Sequence, residues 1–160
     1  MYKRQGLELL AGNQVYTVEL GDGTADNGTL TVVSELNATA LEGDGFVSIG
    51  DIDCDGKIDM LIMDAGNVYV WDPRTETQIG DTYHIFNTTG GGRINVGDFD
   101  NDGKAEFGTA GRNIYVVLEY DPVGDTLAEL WTKPGVDDGS QRTGSSLFDF
   151  EGDGLSLIHI

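Results

Sequence analysis

The stretch DIDCDGKID, Asp51–Asp59, decides how this chain is interpreted, because it returns as DFDNDGKAE at Asp98–Glu106 and begins again as DFEGDGLSL at Asp149–Leu157. We name these segments the first acidic loop, the second acidic loop and the third acidic string. All three carry acids at positions 1, 3 and 5 and a glycine at position 6. They start roughly 50 residues apart, so each belongs to one copy of a repeating unit.

The spacing of the acids matches what an oxygen-bound cation requires. Carboxylates at alternate positions, followed by a glycine that permits a sharp turn, can surround a hard ion such as Ca2+. Crowded carboxylates repel one another unless a cation lies between them, so Ca2+ is the predicted cofactor. The predicted metal ligands are the carboxylates of Asp51, Asp53, Asp55 and Asp59 with the carbonyl of Lys57, the carboxylates of Asp98, Asp100, Asp102 and Glu106 with the carbonyl of Lys104, and, in the third string, Asp149, Glu151 and Asp153.

The motif differs from an EF-hand, whose loop ends with a glutamate at position 12 and is flanked by helices. Position 12 is Ile62 in one copy and Thr109 in the other, and the runs that follow are strand-like. The third string is weaker, since Leu157 stands where the fourth acid is expected. An acidic turn of a β-hairpin that binds no metal remains the alternative for each copy.

The repeat extends beyond the acidic loops. A short strand precedes each loop, and the loop is followed by a strand, a small-residue turn such as AGN, a further strand, a loop and a closing strand. Four short antiparallel strands in roughly 40–50 residues are the signature of a β-propeller blade. We therefore predict an all-β partial propeller. Its predicted divisions are the last three strands of a partial blade at 1–45, full blades at 46–92 and 93–144, and the start of a truncated blade at 145–160.

The strings GDIDCDGKID and GDFDNDGKAE resemble FG-GAP or VCBS repeats, the calcium-loop blades also found in the propeller of integrin α subunits. The resemblance covers about Phe46 to Gly154 well. It implies a propeller of about seven blades, with Ca2+ held in the hairpin loop between the first two strands of a blade. It also implies a secreted or surface-exposed protein, so the expected location is extracellular or at the cell surface.

The chain is expected to be a fragment of a longer propeller. Two full blades cannot close a ring, and a blade needs neighbours on both sides to cover its apolar faces. The tail LSLIHI, Leu155–Ile160, also departs sharply from the repeat. Neighbouring blades are therefore expected from a longer chain or from other copies, and a small open array is the remaining alternative.

Composition narrows the range of partners. The formal net charge of −19 argues against nucleic-acid binding, because phosphates would be repelled. No apolar run approaches the roughly 18 residues of a membrane span, and the single cysteine, Cys54, allows no internal disulfide.

Catalytic motifs are missing from the sequence: it has no nucleophile elbow, phosphate-binding glycine loop or zinc spacing, so no enzyme is predicted. His84 is interpreted as a packing or surface histidine, and Trp71 and Trp131 as packing between blades rather than sugar-stacking residues. Three functional hypotheses follow. The leading one is an interaction or adhesion module that binds an unknown protein or glycan. The alternatives are the non-catalytic portion of a polysaccharide-active enzyme on a propeller scaffold and a purely structural spacer.

Overall fold

The computed structural model describes residues 7–21, 28–36, 45–85, 90–136, 142, 144–148 and 157–159. These residues form β-strands joined by turns and loops, and none of them forms a helix. Accordingly, no helix among them is long and apolar enough to cross a membrane. The strands are β1 Leu7–Ala11, β2 Gln14–Glu19, β3 Thr29–Glu35, β4 Phe46–Gly50, β5 Asp59–Asp64, β6 Asn67–Asp72, β7 Thr77–His84, β8 Asn95–Gly97, β9 Glu106–Gly111, β10 Ile114–Asp121, β11 Thr126–Pro134, β12 Ser146–Phe148 and β13 Leu157–His159.

Each sheet is built from strands that follow one another in the chain. The first sheet has the order β1-β2-β3, the second β4-β5-β6-β7 and the third β8-β9-β10-β11, and β12 pairs with β13. All of these pairings are antiparallel. The predicted fold class, an all-β chain with the four-stranded sheets of a partial propeller, is confirmed.

The two central strands of each four-stranded sheet are buried on both faces. In β5 every residue from Asp59 to Met63 is buried, and β9 is buried along its whole length. The buried run of β5, at residues 60–63, is continuously apolar, as expected of a strand covered on both faces, whereas β9 consists mainly of small residues. The last strands of these sheets, β7 and β11, are less buried and carry several exposed polar residues.

The largest core cluster lies between the second and third sheets. Leu61, Val68 and Val70 from the second sheet pack in one cluster with Phe107 and Val116 from the third. A smaller cluster joins the first and second sheets, and its buried members are Val15, Leu36, Met60, Ile62 and Tyr69. The sheets therefore stack face to face in chain order.

The two tryptophans lie in apolar contacts. Trp71 packs against the cluster between the first and second sheets, and its indole N–H donates to the Ser34 hydroxyl of the first sheet (3.3 Å). Trp131 belongs to β11 and contacts two rings of its own sheet region, Phe99 (centroids 6.3 Å apart) and Tyr115 (6.0 Å apart). Trp71 therefore packs between two sheets, as predicted, whereas the ring contacts of Trp131 lie within its own sheet region.

The sequence predicts the closing strand of this unit at TYHIF, Thr82–Phe86, and β7 differs most from such an expectation. The observed strand begins five residues earlier, at Thr77, and ends at His84. Its register against β6 shifts, because Val68 pairs with Tyr83 whereas Val70 pairs with Ile79. The extra residues include Gly80, whose φ is +69°. Such a bulge interrupts the two-residue alternation from which strands are recognised.

The connections of each four-stranded sheet alternate between its two ends. The first acidic loop joins β4 to β5, and the second acidic loop joins β8 to β9. In an antiparallel sheet the next connection, β5 to β6 or β9 to β10, lies at the opposite end of the sheet. The third connection, β6 to β7 or β10 to β11, lies again at the end that holds the acidic loop. The turn at residues 73–76, between β6 and β7, is therefore placed at the same end as the first acidic loop.

Candidate metal centre

The second acidic loop brings its four predicted carboxylates together. One oxygen each from Asp98, Asp100, Asp102 and Glu106 lies within 4.8 Å of the others. The Asp102 N–H donates to Asp98 Oδ1 and to Asp100 Oδ1 (both 3.1 Å), and the Gly103 N–H donates to Asp98 Oδ2 (2.9 Å). These backbone bonds orient the carboxylates toward a common point.

The first acidic loop has the same backbone pattern but a smaller carboxylate group. Oxygens of Asp51, Asp53 and Asp59 lie within 4.8 Å of one another. The Gly56 N–H donates to Asp51 Oδ2 (3.0 Å), and the Asp55 N–H donates to Asp53 Oδ1 (3.1 Å). Asp55, the fourth predicted carboxylate, is not part of this group.

Left-handed backbone conformations bend both loops at the same two positions. At position 4, Cys54 has a φ of 58° and Asn101 a φ of 64°. At position 6, Gly56 has a φ of 83° and Gly103 a φ of 88°. Side chains other than glycine, asparagine and aspartate rarely adopt this conformation, which explains the glycine at position 6. The bends bring position 9 back toward the acids at the start of the loop.

Position 9 supplies a buried carboxylate in both loops. Asp59 is 1% exposed and Glu106 is 1% exposed. One oxygen of each accepts a backbone N–H: Asp59 Oδ2 from Ile52 (2.9 Å), and Glu106 Oε2 from Phe99 (2.6 Å). The other oxygen, Asp59 Oδ1 or Glu106 Oε1, is buried and accepts no hydrogen bond.

These free oxygens test whether a cation fits. A buried carboxylate oxygen that accepts no hydrogen bond is costly, and a cation coordinated by it removes that cost. Asp51 Oδ1, also buried in the first loop, likewise accepts no hydrogen bond. Every side-chain donor in the two groups is a carboxylate oxygen, the donor type that hard divalent cations prefer. The residues present therefore fit an oxygen-coordinated divalent cation.

The pKa values separate the buried acids from those at the rim. Burial, reinforced by the negative charge of Asp53 and opposed by the Ile52 N–H, raises the pKa of Asp59 to about 6. Burial together with the charges of the neighbouring aspartates also raises the pKa of Glu106, although the Phe99 N–H opposes this. Ionising the position 9 acids is therefore unfavourable when no cation balances their charge.

The acids at position 5 behave in the opposite way, because a lysine folds back onto each of them. Lys57 Nζ lies 3.0 Å from Asp55 Oδ2, and Lys104 Nζ lies 2.6 Å from Asp102 Oδ2. The hydrogen bonds from these lysines lower the pKa of Asp55 and the pKa of Asp102. Both lysine side chains remain largely in solvent, and their carbonyls stay predicted ligands.

Arg74 is a component of the first site that sequence reasoning missed. Its guanidinium Nη2 lies 3.6 Å from Asp55 Oδ2 and 3.6 Å from Asp59 Oδ1. The sequence does contain a second repeated segment around this residue: WDPRTET at Trp71–Thr77 matches YDPVGDT at Tyr120–Thr126 in the next unit. In both copies the aspartate before the proline accepts a backbone N–H two residues later. The match reveals a shared turn, but it does not reveal which groups that turn approaches.

The third acidic string lies largely outside the described residues. Its predicted ligands Asp149, Glu151 and Asp153 are not among them, so they stay predictions. His84 is exposed on β7, and its Nδ1 lies 2.8 Å from Asn67 Oδ1. Cys54, at position 4 of the first loop, is exposed.

The part of the chain that contains both acidic loops matches a known family of repeats. The model of the FG-GAP-like repeat matches residues 51–109, from the first acid of the first loop to three residues beyond the second. This segment is an FG-GAP-like repeat. The resemblance drawn from the two acidic strings is thereby confirmed at the level of the repeat. No curated protein and no solved structure matches the chain.

Proposed function

We propose that this FG-GAP-like chain is a calcium-binding β-propeller module that serves outside the cell as a non-catalytic interaction or adhesion scaffold for a protein or glycan. The observation that carries the calcium part is the pair of buried position 9 carboxylates, Asp59 and Glu106, each with an oxygen that accepts no hydrogen bond. A divalent cation at each loop would balance the acids that converge there. Calcium is favoured because it accepts many oxygen ligands in flexible geometry.

An extracellular location is favoured by the same chemistry. Extracellular modules bind calcium with dissociation constants of about 10⁻⁴–10⁻³ M, so loops with few ligands can stay loaded there. The formal net charge of −19 far exceeds what two divalent ions would balance, so the loaded surface stays acidic. Such a surface disfavours nucleic acid and leaves proteins and glycans as the proposed partners.

We further propose that neighbouring blades complete the module. On the first sheet, Leu9 pairs with Tyr16 and Tyr16 with Val32, so these side chains share one face. Leu9 is 43% exposed and Val32 is 46% exposed, and Leu30 on the same strand is 56% exposed. In the second sheet the face that packs against the first sheet is buried. A further sheet of the same kind, from a longer chain or another copy, would cover the exposed face.

Calorimetric calcium titration of the full 160-residue chain, freed of metal by chelation, tests the calcium part. We expect binding at both described loops together with a rise in the melting temperature. A variant carrying Asp51→Asn and Asp98→Asn serves as the control, and it should lose the binding of both loops. Absence of heat and of a melting shift, in a sample whose circular dichroism shows folded β-structure, would overturn the calcium assignment.

The partner is tested separately, with a glycan array and a set of extracellular matrix proteins probed in calcium and in chelator. Calcium-dependent binding to a defined glycan or protein would support the scaffold role. A loaded, folded chain that bound none of these probes would instead favour the structural spacer. Hydrolysis or cleavage of a bound polysaccharide would favour the enzyme alternative.

A further inference from the structure

The turn between β6 and β7 holds the Arg74 side chain in a defined position. Asp72 Oδ1 accepts the Arg74 backbone N–H (2.8 Å) and lies 3.0 Å from its Nε. The Thr75 hydroxyl donates to Asp72 Oδ2 (2.9 Å), which fixes the aspartate in turn. With Nε anchored in this way, the outer nitrogen Nη2 is directed toward the first acidic loop.

The atom that Arg74 approaches there is one of the oxygens left free for a cation. Asp59 Oδ1 is buried, accepts no hydrogen bond and lies 3.6 Å from Arg74 Nη2. The same nitrogen lies 3.6 Å from Asp55 Oδ2, and Asp55 is the one predicted carboxylate of this loop that stays outside the converging group. A positive guanidinium at this distance balances part of the loop's charge and repels an incoming cation.

Within the part of the chain that the structure describes, the second acidic loop has no guanidinium at the position equivalent to Arg74. Val123 occupies the matching position, since its N–H donates to Asp121 Oδ1 (2.9 Å) as that of Arg74 donates to Asp72. Val123 is 95% exposed. A positively charged side chain does lie at this loop: Lys104 Nζ contacts Asp102 (2.6 Å) and Glu119 (2.9 Å). All four acids of this loop still converge.

We infer that Arg74 sets the cation affinity of the first loop: it is an internal counter-ion that a divalent cation must displace, and it makes this loop the weaker of the two. The inference rests on the proposed calcium binding. Arg74 lies outside the nine-residue motif, in the turn between β6 and β7.

The experiment measures each loop alone in the full chain by calcium calorimetry. Asp98→Asn disables the second loop and leaves the first, and Asp51→Asn does the reverse. In the Asp98→Asn background, Arg74→Gln is expected to lower the dissociation constant for calcium about tenfold. Arg112→Gln is the matched control, since it removes the same charge from the turn between β9 and β10, at the opposite end of the sheets. In the Asp51→Asn background, Val123→Arg is expected to weaken binding.

The outcomes separate this inference from the proposed function. If neither loop of the unmodified chain binds calcium, the proposed function fails and the inference fails with it. If both loops bind but Arg74→Gln and Arg112→Gln give equal dissociation constants, the inference alone is overturned.

Melting in chelator gives a second measurement. Arg74→Gln should lower the melting temperature of the metal-free chain more than Arg112→Gln does, and calcium should remove the difference. A difference that persisted unchanged in calcium would mean that Arg74 only stabilises its turn. If Arg74→Gln does not fold without calcium, the Val123→Arg arm decides: weaker calcium binding supports the inference, and unchanged binding overturns it.

Discussion

The first and second acidic loops hold their acids with matching backbone hydrogen bonds, yet different positive groups approach them. The position 6 glycine donates to the position 1 aspartate in both, Gly56 to Asp51 and Gly103 to Asp98. A rim lysine contacts the position 5 acid in both loops, Lys57 in the first and Lys104 in the second. In the first loop Arg74 also reaches the acids from a neighbouring turn. The geometry thus follows from the nine-residue string itself. The charge balance depends on a residue that lies elsewhere in the repeat.

The two loops also differ in how many carboxylates converge. Four acids meet in the second loop and three in the first, where Asp55 contacts Lys57 and Arg74 instead. A site with four converging carboxylates, and with a valine at the position that matches Arg74, is expected to depend more strongly on an added cation.

Replacing one central acid in each loop should give the largest difference between the two loops in the free energy of unfolding. With calcium in excess, Asp100→Ala is expected to lower the free energy of unfolding by about 3 kcal/mol, since a saturated site can contribute that amount. Asp53→Ala is expected to lower it by roughly half as much, because Arg74 already balances part of the first loop's charge. In chelator both changes should be small. Urea denaturation in the two conditions measures the difference, and equal losses with and without calcium would contradict it.

The pH dependence of the metal-free chain should reveal the buried acid of the first loop. The pKa of Asp59 is raised from 3.8 to about 6, so the folded state holds its proton more tightly than the unfolded state. Stability from this group is therefore greatest below pH 4 and falls as the pH rises through about 6, by roughly 2–3 kcal/mol. In calcium the sign reverses, because the metal binds the ionised carboxylate.

The group's own contribution is the difference in unfolding free energy between the unmodified chain and Asp59→Asn, which cannot titrate at this position. This difference should change with pH in chelator and change in the opposite direction in calcium. A difference that stays constant between pH 4 and pH 7 in chelator would show that Asp59 is not the titrating group.

Substitutions in the two matching turns, those of Asp72 and Asp121, are expected to have effects of intermediate size. Asp72→Ala and Asp121→Ala each remove the acceptor for a backbone N–H, which costs about 1 kcal/mol. Asp72 also anchors Arg74, so in chelator Asp72→Ala is expected to cost about 1 kcal/mol more than Asp121→Ala. Thermal melting of both variants in chelator and in calcium checks this. Equal losses in chelator would mean that Asp72 does not support the charge balance of the first loop.

The strings at Asp51–Asp59 and Asp98–Glu106 were enough to predict loops between strands and an all-β repeat. Acids two residues apart, a glycine and strand-like flanks are local properties that a sequence displays directly. The start of β7 could not be predicted, because the bulge at Gly80 removes the alternation that marks a strand. The approach of Arg74 to Asp59 could not be predicted either, since it depends on which connections share an end of the sheet.

The smallest expected effect concerns position 4, where the two loops have the same conformation but different residues. Both Cys54 and Asn101 have a positive φ, 58° and 64°. Asparagine tolerates the left-handed region better than cysteine, because its short polar side chain can form local hydrogen bonds. Cys54→Asn should therefore raise the free energy of unfolding by roughly 0.5–1 kcal/mol, and Asn101→Cys should lower it by a similar amount. Denaturation in reducing buffer measures both, and changes of the same sign would show that backbone strain does not distinguish the two loops at this position.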